Sequence, residues 1–148
     1  MVVAHSELLL NSFERVVGRP LIPNLAATRE QRAQQIFETP FVVVSHGTEA
    51  DPIFNYGKWR ALELWETTWE AMTQMPSRLT AEPMNREERS HVLSETARQG
   101  YVTGYSGVRI STAGRRFRIL DVTIWNVMDD GGVKRGQAAT YHRIERLD

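Results

Sequence analysis

Between Asp51 and Arg78 the chain changes its hydrophobic period in mid-run, and no other stretch narrows the possible folds as much. Pro52-Ile53-Phe54-Asn55-Tyr56 reads as a short strand, after which Leu62, Leu64-Trp65, Trp69 and Met72 recur at helical spacings. Three of the four tryptophans fall in this stretch. A strand running into short helices that carry large flat side chains is one way to roof a cavity above a sheet. The period change therefore predicts a small α+β domain with room for a ligand under the roof.

The flanks supply the rest of the architecture. Ser6 predicts the N-cap of a helix from Glu7 to about Val17, stopped by Gly18, with Leu9, Leu10, Phe13, Val16 and Val17 as one apolar stripe. A second helix is expected from Ala27 or Thr28 to Phe37 or Glu38, ended by Pro40. Only Ala33, Ile36 and Phe37 make it apolar, so it should lie at the surface. Phe41 to Ser45 is β-branched and reads as a strand. Asn85, with Glu88 three residues on, predicts a capping box for a third helix from Arg86 to Arg98, ended by Gly100.

Beyond it, Tyr105–Thr112, Arg115–Met128 and Val133–Ile144 are separated by Ala113-Gly114 and Asp129-Asp130-Gly131-Gly132. Both spacers are hairpin signals, so a three-stranded antiparallel meander follows. Strict alternation puts Phe117 and Ile119 on one face of its middle strand, and Leu120, Val122 and Ile124 on the other. Either a bulge shifts the phase or both faces are covered. We expect cover on both, from the Glu7–Val17 helix or from a second subunit. Residues 1–40 thus read as a helical segment packed on a core of residues 41–148, together one structural unit.

Composition limits the chemistry. With 148 residues the chain is long enough for one well-buried core, and 41% hydrophobic and 24% charged residues are ordinary for a globular domain. It has no cysteine, which excludes disulfides, zinc-thiolate sites, iron–sulfur clusters and a cysteinyl-flavin adduct. Leu8-Leu9-Leu10 is too short for a signal-peptide core or a membrane span, and no basic segment precedes it. A cytoplasmic protein with no membrane partner is expected. Residues 1–100 hold 10 basic and 13 acidic side chains, and residues 101–148 hold 8 and 5. That asymmetry is too mild for a nucleic-acid-binding face, so no nucleic-acid partner is expected.

Several strings carry a closer resemblance. Phe41-Val42-Val43-Val44-Ser45-His46-Gly47, Asp51-Pro52-Ile53-Phe54-Asn55-Tyr56, Pro76-Ser77-Arg78-Leu79, Ala81-Glu82-Pro83, Arg86-Glu87-Glu88-Arg89, Tyr105-Ser106-Gly107-Val108-Arg109-Ile110-Ser111, Gly114-Arg115-Arg116-Phe117-Arg118-Ile119 and Gly136-Gln137-Ala138-Ala139 together resemble the MEKHLA family, in its free-standing bacterial form. The resemblance covers nearly the whole chain. It implies a PAS-like fold: a five-stranded antiparallel sheet with short helices on one face and the N-terminal helices packing outside. It also implies a regulatory or sensing role and brings no enzymatic activity. One departure stands out. Where the family places Asn-Arg-Ala at the start of the first short helix, this chain has Lys58-Trp59-Arg60. Lys58 cannot accept a hydrogen bond, so the entry to the roof must be held differently.

Candidate site residues follow from these patterns. Tyr56, Trp65, Trp69 and Met72 could face a flat ligand from the roof, with Trp125 below; the same residues also suit plain packing between helix and sheet. Arg109, Arg116 and Arg118 could form a cationic row gripping a carboxylate or phosphate. By alternation Arg118 shares a face with Leu120 and Val122, with Glu82 or Asp121 as a partner if it is buried. His91 lies on the third long helix, where PAS-like haem proteins carry their iron ligand, but Arg86 to Ser90 make this a charged, surface segment. The cofactor is therefore left unknown and no metal is expected. His46 and Asp51 could pair as a general base and its orienting carboxylate, though a loop-stapling hydrogen bond explains them as well.

Three functions are then open. The leading one is a non-catalytic sensory module that binds a small molecule and acts as a homodimer. The second is a protein–protein interaction module with a filled pocket, working through Leu9, Leu10, Phe13, Val16 and Val17. The third is a small enzyme using His46 and Asp51.

Overall fold

The computed structural model describes residues 2–22 and 28–147. The chain opens with α1 (Val2–Val17). Ser6 does not cap this helix: it lies inside it, fully buried. Packing of a whole helical face on the sheet outweighs a local cap signal worth about 1 kcal/mol. Gly18, at φ 91°, ends the helix as expected. The second helix, α2 (Arg29–Glu38), has Thr28 as its N-cap and a capping box closed by Gln31. Ala27, the other start considered, lies outside the described residues. Ala33 and Ile36 are its buried side.

Next come β1 (Val42–His46), β2 (Phe54–Gly57), α3 (Trp59–Trp65), α4 (Trp69–Met72) and a 3-10 turn at Ser77–Thr80. The third long helix, α5, runs Pro83–Gln99 and starts earlier than expected. Pro83 has its φ preset and no N–H to orphan, so it opens the first turn with Glu82 as the cap residue. Asn85 is consequently inside the helix, not at its cap.

Four strands complete the fold: β3 (Tyr101–Ile110), β4 (Arg116–Met128), β5 (Lys134–Tyr141) and β6 (Arg143–Arg146). The sheet order is β2-β1-β5-β4-β3, with every pairing antiparallel and β6 also on β4. What the sequence presents as one last strand is broken at His142. Its two halves nonetheless keep one register along β4, from Thr123↔Thr140 to Leu120↔Arg143.

The break faces a distortion in β4. Asp121 has φ 53°, and the β3–β4 register shifts on both sides of Tyr105. The extra residue rephases the strand, so Phe117, Ile119, Val122 and Ile124 all join one core beneath the roof. Strict alternation had placed the first two opposite the last two. Both faces are covered as well: Trp125 and Val127 enter a second core with Leu9, Leu10 and Phe13 of α1. There Phe13 meets Trp125 edge-on at 4.8 Å, and Trp125 Nε1 donates to Ser12 Oγ at 3.1 Å.

The roof hinge is held by Lys58 in an unusual way. The residue is fully buried and offers α3 no side-chain cap. Its carbonyl accepts from Ala61 N at 2.9 Å and Leu62 N at 3.1 Å. Its ammonium donates to Thr39 Oγ1, at the end of α2, and sits 4.2 Å from the Phe41 ring centroid. Burial pulls the Lys58 pKa down to about 7. Roof and outer helical layer are thereby joined through one side chain.

Candidate functional site

The inner face of the sheet does not pack solidly against the roof. Val44, Ile119, Val122, Ile124 and Ala139 form an apolar floor, and Phe54, Trp65 and Leu93 line the other side. They line a partly open cavity of about 60 Å³. That is room for a few waters or one small organic molecule.

Polar residues from several elements also line it. Arg89 comes from α5, Tyr105 and Arg109 from β3, His46 and Ser45 from β1, and Gln137 and Tyr141 from β5. Arg109 is buried; its Nη1 donates to Val108 O at 2.8 Å and its Nη2 to Tyr105 Oη at 3.1 Å. The Tyr105 hydroxyl in turn donates to Glu88 Oε1 at 2.7 Å. Arg89 Nη2 donates to Ser77 Oγ at 2.9 Å. Burial, reinforced by the nearby Arg109 charge, pushes the Arg89 pKa down to about 10. Gln137 Nε2 is fixed by Leu93 O at 2.9 Å and Asn126 Oδ1 at 3.1 Å.

Three lining residues hold buried polar atoms with no partner among the described residues: His46 Nε2, Trp65 Nε1 and the Tyr141 hydroxyl. Burial lowers the His46 pKa, and its Nδ1 lies 3.1 Å from Gly47 O, which can only accept. The neutral ring therefore carries its proton on Nδ1, and Nε2 is a bare acceptor. Burial raises the Tyr141 pKa, so this hydroxyl keeps its proton. An orphaned buried polar atom is costly unless something meets it. The arrangement can bind a small molecule by shape.

Of the six residues singled out on the sequence as pocket candidates, the structure brings Trp65 to the cavity. Tyr56 and Trp69 meet edge-on at 5.9 Å in the outer core, where His5 stacks on Tyr56. Met72 is packed in the inner core away from the lining, and Trp125 faces α1. Arg118 is half exposed and paired with Glu145 at 2.8 Å, not with Glu82 or Asp121, because the β4 distortion ends the alternation that put it beside Val122. The expected row of arginines is also dispersed: Arg109 is in the lining, while Arg116 is exposed.

Asp51 pairs with Arg78 at 3.1 Å and not with His46, so the two halves of the candidate catalytic pair are separate. His91 is exposed, 3.3 Å from Glu95, and outside the cavity lining. The stripe offered as an interface is used inside the chain: Leu9, Leu10 and Phe13 are buried against the sheet, with Val16 and Val17 packed around them.

Arg89, grouped on the sequence with the charged surface segment Arg86 to Ser90, instead lines the cavity, and the sequence holds a signal for it. Arg89, Val92, Leu93 and Thr96 follow the spacing of one helix face, and Val92 and Thr96 are its buried members. An arginine in phase with buried positions is one aimed at the interior.

Comparison with known proteins agrees with this geometry. The sequence model of the MEKHLA domain matches residues 3–146, including the N-terminal helices. A homeobox-leucine zipper protein, ATHB-9 of Arabidopsis thaliana, is 28% identical over 83 residues, which are 56% of this chain and 10% of that protein. The chain thus matches only about a tenth of the length of this relative. Among solved structures, the PAS domain of a Colwellia psychrerythraea protein superposes with a TM-score of 0.65 at 17% identity, over 80% of this chain and 95% of that one. A light-oxygen-voltage domain gives 0.60 at 15% identity, over 82% and 86%. An RNA-binding light-oxygen-voltage receptor gives 0.63 at 16% identity, over 87% and 36%. The fold is therefore PAS-like. Among the described residues no helix is long and apolar enough to cross a membrane, and no cluster of side chains suits a metal ion.

Proposed function

This chain belongs to the MEKHLA domain family, and on that premise we propose that it is a sensory or regulatory module that binds a small molecule between sheet and roof. It works without chemistry of its own and signals through self-association or a partner chain. The observation that carries this reading is the cavity whose lining residues hold three unpartnered buried polar atoms. The fold relatives support the reading by analogy: they include a light-oxygen-voltage domain and a PAS domain from a two-component sensor histidine kinase. A flavin photocycle through a cysteinyl adduct is not part of it, since the sequence has no cysteine.

Native mass spectrometry tests this directly, on the chain and on a cavity-filling Ala139→Leu variant. The expected result is a bound small molecule on the parent chain, captured from its host or from a metabolite library, and none on the variant. Light scattering with and without that molecule reports whether self-association responds. A parent chain that captures no small molecule from either source overturns the reading.

A further inference from the structure

The ligand class is written in the charges of the lining. Arg89 and Arg109 project from different elements, α5 and β3, onto the same small cavity. Their hydrogen-bond partners are neutral oxygens: Ser77 Oγ for Arg89, and Val108 O and Tyr105 Oη for Arg109. No ion pair among the described residues involves either one. Among the described residues that line the cavity there is no Asp or Glu. Glu88, next to Arg89 in the chain, is exposed and accepts the Tyr105 hydroxyl hydrogen, one group removed from Arg109.

Two guanidiniums brought together with little water and no counter-charge are an unfavourable arrangement in isolation. The effect is visible on Arg89, where burial and the Arg109 charge both work against its proton. A structural role would place a carboxylate between them, as Asp51 serves Arg78 and Glu145 serves Arg118 elsewhere in this chain. The β4 wall of the cavity is apolar, made by Ile119, Val122 and Ile124, with Val122 opposite Tyr105 and Ile119 opposite Gly107.

We propose that the cavity takes a small organic anion, with its carboxylate or equivalent oxyanion between Arg89 and Arg109 and a short apolar body on Ile119, Val122 and Ile124. Guanidinium forks match a planar oxyanion and form the stronger, charge-assisted class of hydrogen bond. This rests on the reading of the cavity as a ligand site and adds the charge and size of what fills it. Tyr105 acts as a positioning residue, holding Arg109 through its hydroxyl.

The test uses defined probes. Acetate, butyrate and hexanoate, with the neutral amide of each, are titrated into the chain and followed by the amide and indole resonances in NMR. The acids should bind with a preferred chain length, and each amide should bind roughly tenfold more weakly or worse. Arg89→Gln should erase the preference for acid over amide while leaving the spectrum of a folded protein, since Arg89 is only partly buried. Arg109→Gln should do the same wherever it folds. Amides binding as tightly as acids, or an Arg89→Gln variant that still discriminates, would overturn the anionic ligand while leaving the cavity reading intact. Binding of neither class also overturns it, and the bound mass in the native spectrum then decides separately whether the cavity has another occupant.

Discussion

Tyr105 and Arg109 meet across Gly107 on one face of β3, with Arg109 Nη2 3.1 Å from Tyr105 Oη. The contact exists because position 107 has no side chain. A Cβ there would stand 2.3 Å from the Tyr105 hydroxyl oxygen and 3.0 Å from Arg109 Nη1. Gly107→Ala should therefore displace the Tyr105 ring and destabilise the fold by about 1–2 kcal/mol in urea denaturation. In a Tyr105→Ala background the same change should cost almost nothing. An equal cost in both backgrounds would show that the two side chains are not coupled through this glycine.

Gly136 is constrained by backbone instead. Its φ is 151°, and a Cβ would lie 1.9 Å from the His46 carbonyl oxygen of β1. Nothing flexible is available to yield, so β1 and β5 would have to separate. Gly136→Ala should destabilise by about 3 kcal/mol or more, measured as a fall in the urea midpoint at unchanged slope.

Lys58 gives the protein a pH signature. Its folded pKa is about 7 against an ordinary 10.5. Between those values the unfolded chain binds more protons, so stability should rise with pH across this window. Below about pH 7 the ammonium is charged in both states and its burial penalty is fully felt. Chemical denaturation from about pH 7 to about pH 9.5 stays below the tyrosine range and isolates the effect. Lys58→Met should flatten the slope and be more stable by roughly 1–3 kcal/mol at the lower end. A slope that survives the substitution assigns the proton to another group.

Phe13 is fully buried beside Trp125, inside one chain. Phe13→Ala should cost about 3–5 kcal/mol of stability. Light scattering should show the same mass before and after. A folded variant of halved mass would instead return the α1 stripe to the role of an interface.

Arg118 and Glu145 form an exposed pair, and exposed pairs are worth about 1 kcal/mol or less. Arg118→Gln should leave stability within that margin and leave carboxylate binding unchanged, in contrast to Arg89→Gln. Loss of binding on Arg118→Gln would place the anion site on the other side of β4.

How much of this was legible in the chain varies by scale. The period change at Asp51–Arg78 became β2, α3 and α4, because strand and helix periodicities are local properties of the backbone. The hairpin signals gave the meander for the same reason. The site was less legible. Aromatic residues mark a roof, yet Tyr56, Trp69 and Trp125 fall in the outer core, since residue type does not say which face of a sheet a side chain serves. Arg89 and Arg109 lie twenty residues apart on different elements, and only the packing of α5 over β3 brings them to one cavity.

By itself the sequence determined the elements, their order and the absence of cysteine chemistry. The tertiary structure alone decided the phase of β4, where one residue at φ 53° brings two pairs of apolar side chains onto the same face. It also decided that the α1 stripe is buried within the chain and that two uncompensated guanidiniums share a cavity. Each of these depends on what lies across a gap in space, and the free energy of burying a charge or an apolar face is set by those neighbours, not by the residues adjacent in the chain.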